Sequence, residues 1–310
     1  MIEHNENLPE TLCNFLSKDT LCIFLFHGVI EKQIDPVRNY TKKHIEKNLF
    51  ANCIKLLSQK GEALSMDQVL YHLENKIPFP KNSFALTFDD GFENNMSVAA
   101  PILTDNKVPA IIYVTTNFID KNYMSWIDRI ESAVQNITTF RHKFYWMDDV
   151  VSLSNSLSKI EFLKKVRKFV KNTPACSPNE FADELCYTLE KQVIIQSNNQ
   201  LDLKMTWDQV RVMHESEFFT IGGHSHTHLI LSFLDKKNLD YELDTSINML
   251  FEKAGISTTH YSYPEGLAHC YNSKVITGLK KRGIKCCPTA VHGTNNLYTN
   301  SFELKRILVA

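Results

Sequence analysis

The 310-residue chain has no excess of either charge, with 34 Lys and Arg against 35 Asp and Glu. It therefore lacks the basic field of a polyanion-binding protein, and nucleic acid is not expected as a partner. No apolar run reaches about 18 residues, so no membrane span is expected. The amino-terminal stretch has no Lys or Arg before Lys18 but carries Glu3, Glu6 and Glu10, the reverse of a secretory signal's charge order. The apolar run from 21 to 30 is short and interrupted by His27, so it reads as a buried strand. A cytoplasmic location is the resulting expectation. Eight cysteines, the adjacent Cys286 and Cys287 among them, show neither CxxC spacing nor the density of a disulfide scaffold, which points to reduced thiols. Asn95-Met-Ser and Asn136-Ile-Thr match the glycosylation pattern but carry no weight without secretion. A phosphate loop, a dinucleotide fingerprint and a Gly-x-Ser-x-Gly elbow are missing, as are internal repeats. Disorder is excluded by the 43% hydrophobic content.

What is present is an alternation of short apolar runs with amphipathic stretches, the pattern of an α/β chain with a parallel sheet or barrel. Residues 22–26, 84–88 and 110–114 read as buried strands, and 44–58 and 66–73 as helices. From 119 to 205 the periodicity becomes helical, with polar breaks at 172–178 and 197–200, and this stretch is expected to be a helical insertion within a single domain spanning 1–310. A helix over 207–213, a strand over 218–221 and a long helix over 235–254 follow. A β-type run over 260–263 comes next, then a further helix, a strand near Ile284 and a terminal strand at 306–309.

Two clusters could carry chemistry. Asp89 and Asp90 directly follow the buried strand 84–88, and Gly91 turns the chain. Adjacent carboxylates at a strand end repel one another unless a cation lies beside them, and a metal answers that need. One carboxylate could ligate while the other stays free as a base. An Asp-Asp-Gly turn capping a helix is the plain alternative. The second cluster is Gly222-Gly-His-Ser-His-Thr-His228, where a double glycine permits an unusual backbone path before three histidines. Spacing leaves the pair open, since His224 and His228 suit a turn or helix start whereas His224 and His226 suit a strand. A surface polar loop is the plain reading here. One Asp and two His together make a site for a borderline divalent ion with positions left for water.

Thr87-Phe-Asp-Asp-Gly91 combined with His224-Ser-His-Thr-His228 closely resembles the first two motifs of the polysaccharide deacetylases, the carbohydrate esterase group with the NodB-homology domain. Tyr261-Ser-Tyr-Pro-Glu-Gly266 resembles that family's third motif, and the stretch from Leu304 to Val309 its last strand. The resemblance covers about residues 22–309 outside the insertion. It implies a distorted (β/α) barrel of the NodB type, with Asp89 as catalytic base and Asp90, His224 and His228 as ligands of a divalent metal, zinc foremost. His226 would be a neighbour of that centre. The family's general-acid histidine, usually late in the chain, would here be the early His27 of Phe24-Leu-Phe-His-Gly, as in the circularly permuted branch, with His292 as rival. Two positions depart from the pattern. Ser262 stands where an Arg usually orients the base, so Arg306 on the last strand is expected to supply that charge, unless it is a plain surface residue. Glu265 stands where Tyr is usual, and its backbone N–H would still stabilise an oxyanion.

The function implied is metal-dependent removal of an N-acetyl group from an amino sugar in surface-glycan biosynthesis. The alternatives are deformylation, or other amide hydrolysis on a nucleotide- or lipid-linked sugar, and a non-catalytic carbohydrate-binding module that lost turnover with the third-motif Arg. Trp126 and Trp146 in the insertion are candidates for covering the cleft and stacking on sugar rings, or for simple core positions.

Overall fold

The computed structural model describes residues 5–33, 36–173 and 176–309; Glu3 and part of the polar break 172–178 lie outside the described residues. Helix α1 (Leu8–Cys13) leads into β1 (Cys22–Phe26), every residue of which is buried. Beyond His27, β2 (Gly28–Ile30) pairs in parallel with β3 (His44–Glu46), so the helix expected from 44 begins only at α2 (Lys47–Lys60). Edge pairing has taken its first three residues. Phe50, Cys53, Ile54 and Leu57 form the buried stripe of α2 at helical spacing. After β4 (Glu62–Ala63), α3 (Met66–Asn75) starts at a capping box in which Ser65 and Gln68 satisfy each other's backbone N–H groups.

β5 (Ser83–Phe88) is buried throughout and, past a π-turn, leads to α4 (Ala100–Asp105) and β6 (Ala110–Val114). Then come α5 (Thr116–Lys121) and α6 (Trp126–Asn136), followed by β7 (Phe140–His142) and β8 (Val151–Leu153), an antiparallel pair that the helical periodicity of this region did not announce. α7 (Ser156–Lys171) and α8 (Pro178–Glu190) complete that stretch. α9 (Trp207–Glu215) opens on a Thr206–Gln209 capping box, β9 (Phe219–Gly223) follows, and α10 (Lys236–Ala254) runs from an Asp235 cap to Gly255 at φ 72°. α11 (Ser273–Lys281) and β10 (Ile307–Leu308) end the series.

The main sheet is parallel, in the order β10-β1-β5-β6-β9, with β4 on the early half of β5. Strands covered on both faces read as unbroken apolar runs, which is why β1, β5 and β6 were visible in the sequence. Beyond β9 the ring continues through irregular segments. Gly223 bridges to Tyr261 and His260 to Cys286, while Thr289 N–H to Leu304 C=O (2.8 Å) and Arg306 N–H to Val291 C=O (3.0 Å) lead back to β10. The result is a distorted (β/α) barrel. The strand expected near Ile284 is displaced, because Ile284 N–H still closes onto Leu279 C=O of α11 through Gly283 at φ 82°, and extended pairing resumes only at Cys286.

The barrel core unites α1, α2, α4, α9 and the main strands around residues such as Phe24, Phe26, Phe50 and Phe88. A separate core joins α6, α7, α8 and the β7–β8 pair through Ile130, Leu163, Val166 and Leu185, with Trp146 packed against it. Among the described residues no helix is long and apolar enough to cross a membrane.

Candidate active site

Asp89 continues the sheet, its N–H donating to Phe26 C=O at 3.0 Å, and Asp90 then turns the chain at φ 77°, followed by Gly91 at φ 76°. A left-handed Asp costs of order 1 kcal/mol but is among the residues that tolerate it. That break in direction sends the two carboxylates to different partners. A Cβ on Gly91 would meet the Ile119 and Val114 side chains at 2.9–3.0 Å, so the turn has no room for a larger residue.

Past β9, His224 donates its backbone N–H to Val114 C=O at 3.0 Å. The double glycine before it serves close packing rather than an unusual backbone path. A Cβ on Gly222 or Gly223 would lie 2.5 Å from the Tyr113 or Tyr261 ring, and neither glycine has positive φ. The left-handed backbone falls instead on Ser225 (φ 62°) and His228 (φ 61°), which folds His228 back toward His224. Ser225 Oγ accepts the His228 N–H at 2.9 Å.

One carboxylate and two imidazoles thereby converge. Asp90 Oδ1 lies 3.2 Å from His228 Nε2 and 3.7 Å from His224 Nε2, and one ligand atom from each residue fits within 4.8 Å of the others. His224 Nδ1 is held by Ser262, at 2.9 Å from its C=O and 2.7 Å from its Oγ, leaving Nε2 to face Asp90. Such a second hydrogen bond is the usual means of orienting a ligating imidazole. His226 points elsewhere, its Nδ1 at 2.9 Å from Thr116 Oγ1 and its N–H on Glu242, so of the two pairings the sequence left open the geometry brings together His224 and His228. The donor set fits a divalent cation: one hard oxygen, two borderline nitrogens, and a buried Asp90 Oδ1 with no hydrogen-bond donor of its own.

Asp89 is placed differently. Arg306 grips it with two parallel bonds of 2.8 Å, from Nη1 to Oδ1 and from Nη2 to Oδ2, and Ser262 Oγ donates to Oδ1 at 3.2 Å. Arg306 is itself 1% exposed and anchored by Nε to Thr289 C=O at 2.6 Å. It is a buried side chain, not a surface one. Burial pushes the Asp89 carboxyl up more than any single neighbour pulls it down, but the Arg306 charge and hydrogen bonds together with His224 outweigh it and hold the pKa below the usual carboxylate range. Burial acts likewise on Asp90 and is overcome first by His228 and then by Lys43.

His27 lines the same cavity, of about 360 Å³, with Nδ1 unpartnered; burial lowers its pKa to about 4, against the pull of Asp90 and Asp89. His292 packs edge-on against Phe15 at 5.7 Å and is not among the residues lining that cavity. Glu265 has left-handed backbone (φ 61°), and its partly buried carboxylate pairs with Lys171, which together with His228 lowers its pKa to about 2 despite desolvation. Sequence reasoning missed Lys43, whose Nζ donates to Asp128 at 2.8 and 3.1 Å, sits 3.9 Å from Asp90 Oδ2 and lies over the Phe92 ring. It missed Arg167 and Lys171 of α7 as well, and only the Asp89-Asp90 repulsion hinted that further cations would be needed.

A family model described as polysaccharide deacetylase matches residues 76–287. The chain belongs to the polysaccharide deacetylase family. The match contains Asp89, Asp90, His224, His228 and Glu265, while His27 and Arg306 fall outside it. No curated protein matches in sequence. Among solved structures, the Streptococcus pyogenes deacetylase PplD, in complex with acetate, is 16% identical with a TM-score of 0.60, covering 94% of this chain and 93% of that one. IcaB from Ammonifex degensii is 15% identical with a TM-score of 0.60, over 96% and 94% of the two chains. The de-N-acetylase from Aggregatibacter actinomycetemcomitans is 17% identical with a TM-score of 0.59, over 94% and 95%. At such identities the likeness establishes the shared barrel fold.

Proposed function

We propose that this deacetylase-family chain is a metal-dependent hydrolase that removes the N-acetyl group from an amino sugar of a glycan, with Asp90, His224 and His228 holding the ion. The observation that carries the reading is the division of labour between two neighbouring carboxylates: Asp90 faces two imidazoles and Asp89 faces a guanidinium. Zinc is the ion the donor set suits best, and when bound it would polarise the amide carbonyl and make water more acidic.

The remaining steps belong to the chain's own side chains. Asp89, kept ionised and oriented by Arg306, would accept a proton from the attacking water. The water oxygen bonds to the carbonyl carbon, the C–N bond breaks, and the amine leaves with a proton. His27 would deliver that proton. It is neutral in the resting site, so the proton it delivers must arrive during the reaction, in exchange for the one Asp89 removes. The Glu265 N–H would donate to the developing oxyanion, a contribution typically of about 3 kcal/mol.

The reading of this chain as a binding module rested on the third-motif Arg replaced by Ser262. Arg306, clamped on Asp89, supports retained chemistry instead. An early His27 and a late Arg306, both outside the family match, support the circularly permuted arrangement, and the free thiols support action in a reducing compartment such as the cytoplasm. The test is release of acetate from N-acetylated amino sugars and their oligomers, with formylated and nucleotide- or lipid-linked forms alongside. Bound metal with no acyl group released from any of them would overturn the hydrolase reading.

A further inference from the structure

Lys43 lies just ahead of β3 and lines the cleft together with His27, Asp89 and Asp90. Its ammonium is held in place from two sides. Asp128 of α6 takes it with both oxygens, at 2.8 and 3.1 Å, and is itself held by Ser125 Oγ at 2.7 Å, while the Phe92 ring lies 4.7 Å from Nζ. An ammonium carries three donors, and the two Asp128 oxygens engage at most two of them. The next acceptor, Asp90 Oδ2, is 3.9 Å away, too far for a hydrogen bond. At least one N–H of a side chain only 15% exposed therefore has no oxygen partner among the described residues. We infer that this N–H binds the substrate: Lys43 holds the ring hydroxyl beside the amide-bearing carbon of the amino sugar and makes the site selective for sugars that carry it.

This inference rests on the hydrolase reading, which puts the leaving nitrogen at His27. Lys43 shares the cavity with His27 and is near enough that its charge is one of those that lower the imidazole's pKa. A sugar whose nitrogen faces His27 thus brings its neighbouring carbons within reach of Lys43, and the hydroxyl vicinal to the nitrogen is the one a pyranose ring carries closest to it. Charge decides what kind of acceptor fits. The ammonium is already neutralised by Asp128, and Asp90 stands beside it, so an entering carboxylate or phosphate would gain little net attraction and meet a further anion. A hydroxyl oxygen accepts the free N–H without that repulsion. Because Asp128 and Phe92 already immobilise the side chain, little of its rotamer freedom is left to lose on binding. A sugar lacking the hydroxyl would leave a buried N–H unpaired, the circumstance in which polar sites discriminate most strongly.

The experiment uses the full chain loaded with zinc, and compares the methyl glycoside of N-acetylglucosamine with its 3-deoxy and 6-deoxy analogues. Wild type should turn over the 3-deoxy sugar about 10- to 100-fold less efficiently in kcat/KM than the parent, the range for a hydrogen bond to a charged group. Lys43→Met should lose the same factor on the parent and nothing further on the 3-deoxy sugar, while the 6-deoxy sugar follows the parent with both proteins. Where Lys43→Met does not fold, Lys43→Met combined with Asp128→Leu removes the pair as a whole and leaves neither partner unpaired. Equal losses on all three sugars would overturn the inference, reducing Lys43 to a support for its neighbours, and leave the hydrolase reading standing. A gain with the 6-carboxylate sugar that Lys43→Met abolishes would overturn it too, by making the ammonium a receptor for anions. If no sugar is hydrolysed, calorimetric titration of the same sugars decides. A preference for the parent over the 3-deoxy form that Lys43→Met removes would sustain the contact and sink the hydrolase reading, and the lack of any preference would sink both.

Discussion

At the barrel mouth, Asp89, Asp90, His224 and Arg306 sit within a residue or two of strand ends whose backbones are bonded into the ring, and three of the four are joined by bonds of 2.6–3.2 Å to groups of other strands or connecting segments. In the segment α6–α8, a cover whose Trp126, Ile127, Arg167 and Lys171 line the cleft, Arg167 and Lys171 instead reach in from the last turns of α7, on long stems, to Glu131 and Glu265. The side chains of the first set are 5% exposed or less where an ion pair records them, apart from Asp90 at 6%, while Lys171 is 29% exposed. Chemistry that needs groups held to a fraction of an ångström thus falls on the barrel, and contacts that tolerate adjustment fall on the cover. Substitutions at the mouth should act on turnover, and those in the cover on which substrate is turned over.

The largest effect expected is that of Asp89→Asn, which keeps the shape and removes the carboxylate proposed as the base. Turnover should fall by about 10³-fold, within the range for lost general-base catalysis, while metal content measured by atomic emission stays at the wild-type level. His228→Ala should lose both, because the triad becomes a pair. Equal metal content in the two variants would erase the distinction drawn between the carboxylates.

Arg306→Met comes next and reads out in two ways. Removing one partner of a buried pair commonly costs about 3–5 kcal/mol, seen in a denaturant midpoint. The sign of the pH effect follows from the depressed Asp89 pKa, since a carboxylate stabilised by a cation contributes stability above its ordinary pKa and loses it as pH falls. With Arg306 gone, the carboxyl titrates higher, and the acid limb of kcat/KM should move up by about 1–3 pH units. An unmoved limb would mean that Arg306 is structural only.

The same contrast accounts for what could be read before the fold was known. The strands β1, β5 and β6 were legible because burial on both faces leaves continuous apolar runs, and Asp89-Asp90 was legible because its two members are adjacent. The choice between His226 and His228 was not, since it depends on left-handed backbone at Ser225 and His228, residues that carry no such signature. The double glycine was misread for the same reason: its cause is two tyrosine rings from other strands. Lys43 reaches Asp128 across 85 positions and Lys171 reaches Glu265 across 94, and separations of that size are set by tertiary packing alone. Cover residues of this kind have no local pattern to betray them.

The smallest effect expected is at that last pair. Lys171→Met removes a partly exposed cation from Glu265, and exposed pairs are commonly worth about 0.2–1 kcal/mol, so stability should hardly change. The loss matters more locally. Without Lys171 the partly buried Glu265 carboxylate keeps its desolvation and loses the first of the charges that oppose it, so its pKa must rise from about 2. At neutral pH that change leaves the acid ionised but unpinned beside His228. KM should then shift by no more than about fivefold, with kcat within twofold, because Lys171 lines the cleft beside His228 without touching the candidate metal ligands. A fall in kcat of the size expected for Asp89→Asn would place Lys171 in the chemistry itself and end the separation of mouth from cover.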